Sequence, residues 1–220
     1  MSITTTDTTF FDPIEQLLQQ LTERVDAVVD PIAEESYLLD RHEEFTTSRL
    51  AQAIVNATRN EPITAPGLAL EVHAEEFRPT DERKTGADIY ISVVRRDLDI
   101  SKSKGLLVQA KRRTSLLRNE ESRRLGNQSK RMYRRSHESY VWIYERDEIV
   151  CAKAPRSSRP TLTRITNPMS VGELIADGLR CNLGDEDIGR DASAPLFDGI
   201  SDVMQRLSVP RGLDFTVRSD

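Results

Sequence analysis

Asp88, Gln109 and Lys111 are an acid, an amide and an amine set among residues that read as strands. Asp88 follows Gly86 in "TGADIYISV", and the other two belong to "GLLVQAKRR", residues 105 to 113. Side chains alternate along a strand, so Gln109 and Lys111 share one face. An amide and an ammonium ending an apolar strand are costly to bury without partners. If the two strands are neighbours, Asp88 can approach the pair across the sheet. A carboxylate, an amide oxygen and a lysine gathered there suit a hard divalent cation with oxygen ligands. The lysine is then left to meet a phosphate or an attacking water.

The elements that must position these residues follow from periodicity. Asp12 is a helix cap with Pro13 at the first position and Glu15 as its capping-box partner, ahead of Leu17, Leu18, Leu21, Val25 and Val28 at helical spacing. Asp30-Pro31 repeats the start signal and predicts a break. A second helix is expected over 37–60, with Leu39, Leu50, Ile54 and Ala57 on one face. The period then shortens. "LALEVHA" (68–74), "ADIYISVV" (87–94) and "GLLVQAK" (105–111) read as strands, 119–136 as a polar helix, and "SYVWIYER" and "EIVCAKA" as two further strands. Helices are expected near 170–183 and 198–207, separated by an acidic turn. The order predicts an α/β fold: a central mixed β-sheet flanked by helices, αβββαβ, with helical extensions at both ends. The division is an N-terminal arm and helix (1–36), a core (37–155) and a helical C-terminal extension packed on it (156–220).

Composition narrows the classes. Of 220 residues, 30% are charged and 37% hydrophobic, a globular balance. No apolar run reaches a membrane span and no signal-peptide pattern opens the chain, so no membrane partner is expected. Two cysteines are too few for a disulfide framework, and a cytoplasmic location is the default. Neither a phosphate-binding glycine loop nor a nucleophile elbow is present. The net charge of −5 hides a segregation. Between residues 111 and 135, ten Lys or Arg stand against Glu120 and Glu121, an excess of eight positive charges, so the other 195 residues carry thirteen net negative ones. Such a patch suits a polyanion; a solvated helix face is the plain alternative.

With the strand order, the motifs Gly86-Ala87-Asp88-Ile89 and Val108-Gln109-Ala110-Lys111 resemble the PD-(D/E)xK, or restriction-endonuclease-like, phosphodiesterases. The resemblance is to the branch in which glutamine replaces the triplet acid, as in Mrr-type restriction enzymes and related defence nucleases. It covers roughly residues 37–154. It implies a Mg²⁺- or Mn²⁺-dependent nuclease acting on DNA, with RNA as the alternative substrate, in defence against foreign DNA. Asp88, Gln109, the Ala110 carbonyl and a helix glutamate would hold the metal, and Lys111 would orient or deprotonate the attacking water. Both Glu43 and Glu44 qualify for that helix position. At about 100° per residue Glu43 lies about 20° from Leu50, inside the apolar stripe, whereas Glu44 lies about 120° away, so Glu43 is preferred. Gln128, on the inward face with Leu125 and Met132, matches a supporting polar residue of the family. Arg112, Arg113, Arg118, Arg123, Arg124, Lys130, Arg131, Arg134 and Arg135 would grip the phosphate backbone.

Two departures and two decoys qualify the match. Gln109 is neutral, which lowers cation affinity, and no proline precedes Asp88. Gln128-Ser129-Lys130 repeats Q-x-K on a helix, where the side chains point apart, and "PTDERK" (79–84) imitates the family name in a loop. The rival reading is a degenerate module of the same fold that binds nucleic acid or a partner protein without cutting. For the nuclease reading, a protein partner or a homo-oligomer is expected to switch on catalysis or supply specificity.

Overall fold

Asp12 caps the first helix as its spacing predicts, its carboxylate accepting from the Ile14 backbone N–H at 3.1 Å with Pro13 beside it. Glu15 turns instead to Arg180 at 2.7 Å. The computed structural model describes residues 12–39, 43–76, 85–97, 100–157 and 167–220. The arm 1–11 and the 79–84 decoy lie outside the described residues.

Helix α1 (Pro13–Leu38) runs through Pro31, so the predicted break at Asp30-Pro31 does not occur. Proline inside a helix costs about 3 kcal/mol. Here the buried stripe that reaches Val29 continues beyond it through Ile32, Ala33 and Ser36, and that packing outweighs the lost hydrogen bond. Helix α2 (Glu43–Asn60) starts later than expected. Tyr37 and Leu38 close α1, and Leu39 is exposed rather than part of the second stripe. The stripe that α2 buries is Thr46, Thr47, Leu50, Ala51, Ile54, Val55 and Thr58.

Among the described residues, the strands β1 (Thr64–Ala65), β2 (Leu68–Glu76), β3 (Ile89–Asp97), β4 (Ile100–Arg112), β5 (Ser139–Tyr144), β6 (Ile149–Lys153) and β7 (Arg211–Ser219) form one sheet. Its order is β1-β2-β7-β3-β4-β5-β6, with β7–β3 and β4–β5 parallel and the remaining pairs antiparallel. The mixed α/β sheet flanked by helices is thus observed, with one correction of substance. The C-terminal segment is not purely helical: after α5 (Val171–Leu179) and α6 (Leu196–Leu207) it ends in β7, which lies inside the sheet between β2 and β3. Leu213, Phe215 and Val217 alternate there with Asp214, Thr216 and Arg218, a period of two that marks a strand with one apolar face.

Two layers of helix cover the sheet. On one face α1, α2 and α5 bury Ile89, Ile91 and Val93 of β3, Leu106, Val108 and Ala110 of β4, and Trp142 of β5. The opposite face meets α4 (Asn119–Tyr133), α6 and a turn of 3-10 helix at Glu186–Ile188, through Tyr90, Leu107, Val141 and Ile143. Alternation therefore sends Gln109 and Lys111 to the α4 side, because Val108 and Ala110 are committed to the other.

Candidate active site

The β3–β4 register brings the three residues together. Ile89 pairs with Val108, and the Asp88 N–H donates to the Val108 carbonyl at 2.8 Å, so Asp88 comes opposite Gln109. Its Oδ2 accepts from the Ala110 N–H at 3.1 Å and from the Gln109 Nε2. Gln109 Nε2 also donates to the Ala110 carbonyl at 3.1 Å. Lys111 lies two residues further along the same face. All three, with Glu43, Glu44, Arg112, Arg118, Glu121, Arg124 and Gln128, line a polar cavity of about 510 Å³.

Burial decides what these groups need. Asp88, Gln109, Lys111 and Gln128 keep 5, 2, 3 and 7% of their surface. A buried ammonium needs charged partners, and Lys111 Nζ has two: Glu43 Oε2 at 3.3 Å and Glu121 Oε2 at 3.6 Å. These two carboxylates are the partners that the buried ammonium at the end of the apolar strand requires. Glu43 comes from the opposite helical layer, at the first turn of α2, and reaches round the end of β4. Its Oε1 accepts from the Arg112 N–H at 3.0 Å and from Ser115 Oγ at 3.3 Å, in the short helix α3 (Arg113–Leu116). Both Glu43 oxygens thus engage the lysine and the strand end, while Glu44 is exposed on the rim.

The first turn of α2 is pinned from below. Thr47 Oγ1 donates to the Glu43 carbonyl at 2.7 Å and lies 2.7 Å from the Tyr144 hydroxyl. Threonine has one hydroxyl proton, so Tyr144 must be the donor in the second bond. Burial pushes the Tyr144 hydroxyl pKa up, and the charges of Asp88 and Glu43 push the same way, which keeps that proton in place. The other wall is set by Gly86, whose φ of +79° belongs to the left-handed region. A Cβ at Gly86 would stand 2.9 Å from the Gln128 carbonyl oxygen, so glycine is what lets α4 come close enough to place Gln128 in the cavity.

Whether this donor set fits a hard cation can be tested on its orphaned atoms. The Gln109 Oε1 and Gln128 Oε1 atoms are buried without a hydrogen-bond partner. With the Asp88 carboxylate and the Ala110 carbonyl they make an all-oxygen set of the kind Mg²⁺ and Mn²⁺ take. The fit is one of chemical type: among the described residues no three of His, Cys, Asp and Glu gather as a metal cluster, so amide and carbonyl oxygens must complete the shell. In the arrangement seen, Gln109 presents its NH₂ to Asp88, and a half-turn of the amide is needed to present the oxygen.

The basic run is divided. Arg112, Arg118 and Arg124 line the cavity. Arg131 is exposed, and its Nε lies by Gly86, 3.3 Å from where a Cβ would stand. Arg123, Lys130, Arg134 and Arg135 are exposed on α4 and just past its end. Arg113 turns away to Glu145 at 2.9 Å. The residue that sequence reasoning missed is Glu121. It counted only as an acid within a basic window; its position seven residues before Gln128 on α4, two helical turns along one face, was the available signal.

Comparison of the chain with protein-family models, with curated proteins and with solved structures finds no match.

Proposed function

We propose that this chain is a metal-dependent phosphodiesterase acting on nucleic acid, DNA foremost, built on a restriction-endonuclease-like core. One observation carries the reading: Asp88, Gln109 and Lys111, on neighbouring strands in register, open together into a polar cavity beside an arginine-bearing helix.

In this reading Asp88, Gln109, the Ala110 carbonyl and, alongside them, Gln128 are the groups that would hold Mg²⁺ or Mn²⁺. Such a cation supplies Lewis-acid polarisation of a phosphate oxygen and a water of lowered pKa. The chain's own residues do the rest. Lys111 presents a positive charge to the scissile phosphate and hydrogen-bonds the attacking water. Glu43, expected from the sequence as the helix ligand of the metal, has its oxygens engaged by Lys111, the Arg112 N–H and Ser115, so in this reading it holds that ammonium in place from the α2 side. Arg118, Arg124 and Arg131 neutralise phosphates flanking the cavity, so affinity falls steeply with salt and depends little on base sequence.

The test is incubation of plasmid and linear DNA with Mg²⁺ or Mn²⁺, comparing wild type with Asp88→Ala and Lys111→Ala. Cleavage by the wild type, lost by at least about a hundredfold in each variant, is the expected result. Equal activity in all three, or none under any condition, removes the reading.

A second reading has its own observation. Gln109 donates to Asp88, and two carboxylates already offset the charge of Lys111, an arrangement stable without a cation. A module of that kind binds nucleic acid or a protein without cutting. Retention of DNA affinity in EDTA with no cleavage in Mn²⁺ distinguishes it.

A further inference from the structure

Lys111 is held between two carboxylates that differ in how they are anchored. Glu43 is tied into the frame by the Arg112 N–H at 3.0 Å, Ser115 at 3.3 Å and Lys111 itself at 3.3 Å. Glu121 meets Lys111 Nζ at 3.6 Å and Arg124 Nη1 at 3.6 Å, both beyond hydrogen-bonding reach. Both acids keep about a quarter of their side-chain surface open to solvent, so anchoring and not exposure separates them. Both partners of Glu121 line the cavity, and Arg124 is itself 65% exposed. Of the two acids, Glu121 is the one that can leave without breaking the frame.

We propose that Glu121 is an internal stand-in for a phosphodiester: a carboxylate seated between Lys111 and Arg124 that an incoming phosphate displaces. The inference rests on reading the cavity as a phosphodiester site and adds how that site is guarded when empty of nucleic acid. The geometry supports an exchange of one anion for another. Lys111 is almost fully buried, and an ammonium so placed needs an anion on its open side whether or not substrate is bound. Glu121 supplies that anion in the free protein and swings outward on α4 when phosphate takes its place. The ion pair Glu121–Arg124 lies within one helical turn, so the swing needs no backbone change. Glu121 thereby lowers affinity for any polyanion and screens Lys111 from adventitious ones.

The experiment is binding of a short DNA duplex in EDTA at low salt, followed by fluorescence anisotropy. Glu121→Gln is compared with Glu120→Gln, which makes the same charge change at an exposed neighbour outside the cavity. Glu121→Gln is expected to tighten binding by about two- to fivefold, the scale of one exchanged partly exposed ion pair, and Glu120→Gln by clearly less. Glu121→Ala, which cannot hydrogen-bond Lys111, must move the same way. Equal affinity for the two glutamine variants overturns the proposal. Cleavage in Mn²⁺ is measured in parallel and separates this contact from the activity. A wild type that never cuts, with Glu121→Gln still binding tighter, removes the nuclease reading and leaves the displacement standing. A Glu121→Gln protein that cuts more slowly at unchanged affinity makes Glu121 a positioning residue for Lys111 and overturns displacement.

Discussion

At the scale of single residues, Gln109 is the choice that shapes the site. Its amide donates to Asp88 and leaves its own oxygen buried without a partner. A carboxylate at the same position would place two acids against each other where a hydrogen bond now stands. Gln109→Glu is therefore expected to lose on the order of 1–3 kcal/mol in EDTA at neutral pH, read from the urea midpoint. The folded state raises a carboxyl pKa in that variant. The penalty is thus complete at neutral pH and fades as pH falls toward the ordinary glutamate value of about 4.3. Millimolar Mg²⁺ should return more stability to the variant than to the wild type. An equal response of the two proteins to Mg²⁺ would take Gln109 out of any cation site.

At the scale of elements, the site is a meeting of β3, β4, α2 and α4, and two short contacts control how they meet. Thr47 and Tyr144 seat the first turn of α2 under Glu43. The Gly86 turn lets α4 approach the end of β3. Gly86→Ala would force a side chain into left-handed backbone and bring its Cβ within 2.9 Å of the Gln128 carbonyl. A loss of about 1–3 kcal/mol is expected, from the left-handed strain and the displaced helix together, measured by chemical denaturation. Gly67, also at positive φ but with nothing within 4 Å of its would-be Cβ, is the control: alanine there should cost only the backbone strain.

For the whole molecule, the surprise is the C-terminus. β7 hydrogen-bonds along its length to β2 on one side and β3 on the other. Asp214 on it, fully buried, forms a buried ion pair with Arg190 at 2.6 Å, and Thr216 accepts from the same guanidinium at 2.9 Å. Removing residues 211–220 therefore deletes an inner strand, not an appendage. The shortened chain is expected to lose cooperative thermal unfolding and to enter inclusion bodies, because β2 and β3 are left with unpaired edges. A truncated chain that melts cooperatively like the full one would show β7 to be dispensable. Charge is also segregated along the chain: residues 111–135 carry an excess of eight positive charges against thirteen net negative ones on the rest, and Arg112, Arg118 and Arg124 of that run line the cavity.

Strands β2 to β6, helix α4 with Gln128 turned inward, and the shared face of Gln109 and Lys111 were all legible in the amino-acid sequence. Each depends on a periodicity that local backbone geometry imposes, and no distant contact is needed to read it. Helix α1 crossing Pro31, β7 entering the middle of the sheet, and the pairing of Lys111 with Glu43 and Glu121 were decided only in the tertiary structure. Glu43 and Lys111 are 68 residues apart, and β7 pairs with β3 across more than a hundred. Side-chain direction along a strand follows from the chain's own pleat. Which strand lies beside which, and which acid meets which base, follows from the burial that the assembled layers share, and no short stretch of sequence contains that quantity.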